Sequence, residues 1–118
     1  MKNINEFSQI FLCTEFVDFR KGIASLAAFV EQRMDCPVFS GALFLFTNKK
    51  RNTLKALYWD KTGFALWIKA LEKEKFPWQK NSDSISYSLD PKQLDFLLSG
   101  INPWKIKKHK DLFYKKTA

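Results

Sequence analysis

The chain has 118 residues, 46% hydrophobic and 16% aromatic, with only 4 Gly and 4 Pro, which predicts one compact domain and excludes a disordered or collagen-like protein. Twenty Lys and Arg residues against 12 Asp and Glu residues give a formal net charge of +8, which favours an acidic partner. No apolar run exceeds Ala42 to Phe46 or Phe64 to Ile68, so we expect no membrane segment and, without a secretory signal at the start, a cytoplasmic protein.

The first predicted elements are a strand and a helix. Ile10 to Phe16 is short, apolar and rich in Phe and Leu, which predicts a strand. Apolar residues then recur at spacings of three and four, which predicts a helix near Gly22 to Met34. Asp18 is positioned to cap the start of this helix, and Pro37 ends it.

The segment between these two elements is the first candidate binding site. Arg20 and Lys21 are followed by Gly22, a combination that exposes backbone amides and positive charge together at a helix entrance. We expect Asp18, Arg20, Lys21 and Gly22 to form a fixed loop that serves the function. The alternative is that Asp18 acts only as a helix cap.

Three strands are predicted in the middle of the chain. Ala42 to Phe46 and Thr53 to Trp59 form a hairpin, and Phe64 to Leu71 returns beside it. Asp60 to Gly63 has the sequence of a type I turn with Gly at its last position. Helical spacing also fits Phe64 to Leu71, but the preceding turn and the aromatic content favour a strand.

The tip of the predicted hairpin is the second candidate binding site. Lys49, Lys50 and Arg51 are adjacent and lie between two hydrophobic strands, so the tip must project into solvent. Three neighbouring like charges repel one another and contribute no packing. Such a cluster indicates an external anion.

The last predicted elements are a strand and a second helix. Ser84 to Leu89 alternates apolar residues with serines, which is typical of a half-buried or edge strand. Asp90 and Gln93 form a capping box, and Pro91 occupies the first helical position. We therefore predict a helix over Pro91 to Ser99.

Together these elements predict a single α+β domain over residues 1–104, with an antiparallel sheet of about four to five strands and two helices. The connections between Ala42 and Leu71 are too short to supply the crossovers that parallel strands need. Residues 105–118 are predicted to be a lysine-rich C-terminal tail.

The sequence offers little catalytic chemistry. Its single histidine, His109, lies among lysines, so a His-based triad is not expected. Metal catalysis would need converging carboxylates, for which only Asp18, Asp60 and Glu72 are suitable, and each has a structural explanation. The two cysteines are predicted to be buried, reduced thiols. We therefore predict no catalytic residue, metal or cofactor.

Basic residues beside aromatic rings are the remaining functional signal. Only three of the 20 cations are arginines, and lysine acts as a point charge, so phosphate contact is favoured over base reading. The rings between the cations are more often core than a platform for stacked bases. The candidate nucleic-acid-binding residues are Arg20, Lys21, Lys49, Lys50, Arg51, Lys55, Lys69, Lys105, Lys107, Lys108 and Lys110.

Three sequence blocks together resemble a known family. D-x-R-K-G begins at Asp18, Y-W-D-x-x-G at Tyr58 and L-W-x-K-x-L-E at Leu66. Over about Ile10 to Trp104 the chain resembles the TnpB-type accessory proteins of insertion sequence family sixty-six, which are unrelated to the RNA-guided nuclease of the same name. The family-motif residues are Asp18, Gly22, Tyr58, Trp59, Asp60, Gly63, Trp67 and Glu72.

The resemblance implies an accessory role in transposition, beside a large transposase that carries its own catalytic carboxylates. Two functions are compatible with this role. In the first, the tip, the loop and the tail contact element DNA with low sequence specificity. In the second, the protein is a scaffold that docks the transposase without binding DNA. The expected partners are DNA, the transposase and other element-encoded proteins, and no membrane.

Overall fold

The structure is a computed structural model that describes residues 1–79 and 83–105. Within these residues five strands form one sheet, and side chains from helices pack on both of its faces. A single 3-10 turn, Ile4–Glu6, precedes the sheet. In chain order the other elements are β1 (Ile10–Cys13), α1 (Ile23–Gln32), β2 (Leu43–Thr47), β3 (Thr53–Asp60), β4 (Gly63–Ala70), β5 (Ser86–Leu89) and α2 (Pro91–Leu98).

The strand order of the sheet is β4-β3-β2-β1-β5. The β1–β5, β2–β3 and β3–β4 pairs are antiparallel, and the β1–β2 pair is parallel. The predicted α+β class, with a mostly antiparallel five-stranded sheet and two helices, is confirmed. The parallel pair departs from the expected order because α1 supplies a crossover, which lets β2 run beside β1 in the same direction.

Strand β1 is shorter than predicted. It ends at Cys13, and Glu15 and Phe16 are exposed instead of continuing the strand. The Glu15 carboxylate accepts a hydrogen bond from Arg33, just beyond the end of α1, with 2.8 Å between Arg33 Nη2 and Glu15 Oε2. The Val17 amide then donates to the Thr47 carbonyl at 3.0 Å. A short outward excursion therefore interrupts the strand before the chain rejoins β2.

Helix α1 begins without a side-chain cap. Its N-cap residue is Gly22, which has no side chain to bond to the first turn, so the expectation that Asp18 caps this helix is wrong. Asp18 lies too far before the helix, and its carboxylate binds Arg20 instead. Gly22 has a φ of −87°, and a Cβ there would meet nothing within 4 Å. Neither conformation nor space requires glycine at this position.

The β3–β4 hairpin is tighter than predicted. Asp60 pairs with Gly63, which leaves a two-residue connection, and β4 confirms the strand interpretation over the helical one. The predicted type I turn is wrong, because Lys61 has a φ of 52° and a type I turn needs negative φ at that position. Two-residue hairpin connections favour positive φ, since this matches the twist of the flanking strands.

Two hydrophobic clusters sandwich the sheet. On one face, Leu12 and Leu45 pack with residues of α2 and with Phe76. On the other face, Phe44 and Phe46 pack with residues of α1. Every residue of β2 is buried, as expected for a central strand covered on both faces.

The segment after β4 belongs to the core and is not a stacking platform. Phe76 is fully buried, and Trp78 is nearly so. The Trp78 indole Nε1–H donates to the Cys13 carbonyl at 2.8 Å, which satisfies its polar atom. Tyr58 is also buried, edge-on to Phe7 with ring centroids 5.1 Å apart. The core interpretation of these three rings is therefore confirmed.

Both cysteines are free thiols, as predicted. Burial raises the pKa of the Cys13 thiol to about 11, so this group is neutral at physiological pH. Cys36 is only half-buried, which departs from the expectation of two buried thiols. Burial also raises the pKa of the Cys36 thiol.

Helix α2 forms where the capping box predicts it. The Asp90 carboxylate accepts from the Gln93 amide at 2.7 Å, and the Gln93 side-chain oxygen accepts from the Asp90 amide at 2.9 Å. Leu94 and Leu97 are fully buried beneath it. Within the described residues, no helix is long and apolar enough to cross a membrane.

Replacing Asp90 with Ala should lower the free energy of unfolding by about 1 kcal/mol, because the first turn of α2 loses its cap. Asp95→Ala is the matched control, since Asp95 is exposed on the same helix and its loss should cost less than about 0.5 kcal/mol. Urea denaturation of both variants tests this. Equal losses in the two variants would contradict the role of the capping box.

Candidate nucleic-acid interface

The parallel pairing of β1 and β2 brings the two predicted cationic segments together. Ile10 lies opposite Leu43 and Leu12 lies opposite Leu45, so both strands finish at the same end of the sheet. The Val17–Thr47 hydrogen bond continues this alignment. As a result, the loop after β1 and the tip after β2 lie side by side, although thirty residues separate Arg20 from Lys50.

The loop and the tip enclose an open cleft with a volume of about 710 Å³. We call it the basic cleft. One wall is the segment Phe16 to Arg20, and the other is the tip of the β2–β3 hairpin. The residues lining it are Phe16, Val17, Asp18, Phe19, Arg20, Asn48, Lys49, Lys50, Asn52 and Thr53.

The Asp18 side chain fixes the loop wall of the basic cleft. Its Oδ1 accepts from the Arg20 amide at 3.0 Å, and its Oδ2 lies 2.5 Å from Arg20 Nη2. The Lys21 amide donates to the Asp18 carbonyl at 3.1 Å. Hydrogen bonds from the side chain and then the amide of Arg20 lower the pKa of the Asp18 carboxyl from 3.8 to about 2. The carboxylate is therefore ionised and paired at neutral pH.

Two asparagines, not singled out from the sequence, organise the tip wall. Asn48 Nδ2 donates to Asn52 Oδ1 at 2.7 Å, and the Thr53 amide donates to Asn48 Oδ1 at 3.4 Å. Arg51, at a φ of 57°, closes the turn by donating its amide to the Asn48 carbonyl at 3.0 Å. The sequence does contain a pattern that predicts an ordered tip, because asparagines stand at i and i+4 on either side of the cations and Asn side chains bond to nearby backbone in turns. The backbone that carries Lys49 is therefore held in place.

Lys55 supports the loop from the sheet and does not project into the basic cleft. It is half-buried, and its ammonium lies 4.6 Å from the centroid of the Phe19 ring. The same ammonium donates to the carbonyls of Phe19 at 3.3 Å and Lys21 at 3.5 Å. Lys55 was predicted to bind nucleic acid. In the structure its ammonium contacts the protein itself, and its binding to nucleic acid stays a prediction.

The other predicted cations that the structure describes do not line the basic cleft. Lys69 Nζ donates to the Leu98 carbonyl at 2.8 Å, at the end of α2. Lys21 is exposed next to Arg20, and Lys105 is exposed after α2. Lys107, Lys108 and Lys110 lie outside the described residues, as does most of the predicted tail.

Several of the family-motif residues pack in the sheet or form its turns. Trp59 packs edge-on against Phe39 and Phe64, with ring centroids 4.9 and 5.0 Å apart. Trp67 is half-buried against the cluster beneath α2. Asp60 and Gly63 form the β3–β4 turn.

The three carboxylates considered for metal binding do not converge. Asp60 and Thr53 lie at opposite ends of β3, about 23 Å apart at the usual rise per residue of a strand. Asp18 is at the Thr53 end, and Glu72 lines a separate groove of about 280 Å³ with Lys50. Among residues 1–79 and 83–105, no group of three His, Cys, Asp or Glu residues is placed to hold a metal ion.

Comparison with known proteins assigns this domain to a family. Residues 8–108 match the family model described as "IS66 Orf2 like protein". The chain belongs to this family, whose members are accessory proteins of insertion sequences.

Two relatives from Sinorhizobium fredii are similar over most of their length. Uncharacterized protein y4jC is 30% identical over 100 residues, which are 85% of each chain. Uncharacterized protein y4hO is 31% identical over 97 residues, which are 82% of this chain and 83% of the relative. No solved structure gives a significant match.

The Asp18–Arg20 pair makes the loop sensitive to acid. Because the folded-state pKa of Asp18 is depressed to about 2, the pair is intact above pH 4 and is lost as the pH falls from about 4 to about 2. Nuclear magnetic resonance titration of the Asp18 carboxyl carbon should show this pKa, and Arg20→Gln should return it toward 3.8. Arg33→Gln, which removes a guanidinium that binds Glu15 and not Asp18, should leave it unchanged. A wild-type pKa near 3.8 would contradict the pairing.

Proposed function

We propose that this protein is a non-catalytic accessory factor of insertion-sequence transposition that contacts element DNA through the basic cleft. One observation carries the proposal: Arg20, Lys49 and Lys50, from two distant segments, line one cleft that is open to solvent. Lysine and arginine side chains converging on one concave surface are the expected footprint of a phosphate backbone.

The charge balance of the basic cleft supports an external anion. Among the described residues that line it, Asp18 is the only acidic one, and Arg20 neutralises it. Within residues 1–79 and 83–105, neither Lys49 nor Lys50 has an ion-pair partner. The Arg20 side chain remains 91% exposed while paired, so its outer edge is free to donate to phosphate.

The loop wall of the basic cleft adds an aromatic contact. Phe16 is 37% exposed and lines the cleft together with the two lysines. An exposed ring beside lysines stacks on bases or sugars without reading their sequence. We therefore expect binding that tolerates many sequences, as the excess of lysine over arginine also indicates.

A scaffold that docks the transposase is the second candidate function. Phe39, 59% exposed, packs with Trp59 and Phe64 at the end of the sheet that lies away from the tip. Exposed aromatic side chains are enriched at protein interfaces. In this alternative, the positive charge only assists association with an acidic partner.

Removing the tip charges should weaken DNA binding in a salt-dependent way. The double variant Lys49→Gln/Lys50→Gln should reduce the slope of log affinity against log salt concentration by about 1.8, because each lost phosphate contact contributes about 0.9. Fluorescence anisotropy of a labelled duplex, titrated with the full chain at several salt concentrations, measures this slope.

The matched control is Lys61→Gln/Lys92→Gln, which removes the same charge from exposed positions outside the basic cleft. Its slope should stay close to that of the wild type, since these lysines make no proposed contact. Equal slopes for the tip variant and the wild type would remove the tip from the interface. No DNA affinity at low salt for the intact protein would favour the transposase scaffold.

A further inference from the structure

Strand β4 forms an open edge of the sheet. Within the described part of the chain it pairs with β3 alone, and its eight residues make it as long as β3. The unpaired side of such a strand presents backbone N–H and C=O groups in a row. Those groups are a template for another strand.

The register identifies which residues of β4 point their backbone groups outward. The Leu71 amide donates to the Asn52 carbonyl at 2.7 Å, which sets the phase of the β3–β4 ladder. Because hydrogen-bonded and non-hydrogen-bonded pairs alternate along an antiparallel ladder, every second residue then bonds to β3. The residues in between direct their N–H and C=O groups away from the sheet: Phe64, Leu66, Ile68 and Ala70.

This edge lacks the features that usually prevent pairing. It contains no proline, and its only charged residue is Lys69. The Lys69 ammonium is bound to the Leu98 carbonyl at 2.8 Å, so it does not guard the open side. Ile68 is 53% exposed in the second half of the strand. Protective charges, prolines or bulges are the usual devices on exposed edges.

We propose that β4 pairs with β4 of a second copy of this chain, antiparallel, about a twofold axis at Trp67. In this register Leu66 lies opposite Ile68 of the second copy, and Phe64 lies opposite Ala70 of the second copy. All outward N–H and C=O groups of these residues then find partners. The two five-stranded sheets become one continuous sheet.

The occupant is a second copy because β4 is complementary to itself. The twofold register centred on Trp67 opposes apolar residues to apolar residues, and Lys69 lies opposite Ala65 of the second copy instead of another lysine. A register centred on Leu66 would place Ala70 opposite Thr62, inside the turn, and leave part of the edge unpaired. A twofold contact of one patch with itself is also the commonest arrangement in homodimers.

The dimer would present two basic clefts on one particle. Each cleft lies near the Ala70 end of its own β4, since Ala70 pairs with Thr53 at the tip. An antiparallel pairing therefore directs the two clefts toward opposite ends of the joined sheet. The inference does not depend on DNA binding, so the failure of either proposal leaves the other testable.

Sedimentation analysis of the full chain tests the proposal. The wild type should form a dimer, and the dimeric fraction should rise with protein concentration up to about 100 µM. Ile68→Lys should raise the dimer dissociation constant at least tenfold, because it places a charge opposite Leu66 of the second copy. Ile101→Lys is the matched control, since Ile101 is another exposed isoleucine, 47% exposed, and lies outside β4, and it should dimerise like the wild type.

A mixture of variants tests the register. Ile68→Lys mixed with Leu66→Glu should form a heterodimer more tightly than either variant forms a homodimer, because only the register centred on Trp67 opposes these two positions. If Leu66→Glu fails to fold, Ala70→Pro replaces it, since this change removes only an outward N–H and should also weaken the dimer. A wild type that stays monomeric would overturn the proposal. So would an Ile68→Lys variant that dimerises like the wild type, or a wild-type β4 that pairs only with the transposase.

Discussion

The parallel pairing of β1 with β2 is the constraint on which the rest of the structure depends. It needs a crossover, and α1 serves as that crossover while covering one face of the sheet. It also makes the two strands finish at the same end of the sheet, where the amide of Val17 donates to the carbonyl of Thr47. Had the pair been antiparallel, the loop that carries Arg20 and the tip that carries Lys50 would lie at opposite ends of the sheet. The basic cleft is thus a consequence of strand direction.

Lysines serve two different purposes in this molecule, and their contacts separate them. Lys55 donates to the Phe19 carbonyl in the loop before α1. Lys69 donates to the Leu98 carbonyl at the C-terminal end of α2, where carbonyls have no partner within the helix. Their ammonium groups are used by the fold. Lys49 and Lys50 are exposed at a tip that asparagine hydrogen bonds hold in place, without an ion pair within the described residues. Only the second pair is available to a ligand.

Local signals predicted most of the elements, and the errors concern how the elements are joined and what a few side chains contact. The capping box at Asp90 is encoded within four residues, so α2 begins where the sequence indicates. The parallel direction of β1 relative to β2 follows from the helix between them, since a strand–helix–strand order favours a parallel pair. The prediction of an antiparallel sheet weighed only the short connections between Ala42 and Leu71. The cap assigned to Asp18 failed because α1 begins with Gly22 as its N-cap, four residues later, and the Asp18 carboxylate binds Arg20. The contacts of Lys55 were hidden, since its partners at Phe19 and Lys21 are distant in sequence.

The two ends of β3 carry surfaces of different chemistry. Its Thr53 end adjoins the basic cleft, and its Asp60 end adjoins the aromatic contact of Phe39 with Trp59. A strand of eight residues separates them by about 23 Å, more than twice the roughly 8 Å over which charges act at physiological salt. An anion in the basic cleft therefore does not perturb the aromatic end through electrostatics. Because β3 is paired with β2 on one side and along its length with β4 on the other, and β2 is buried throughout, the sheet fixes the distance between the two surfaces.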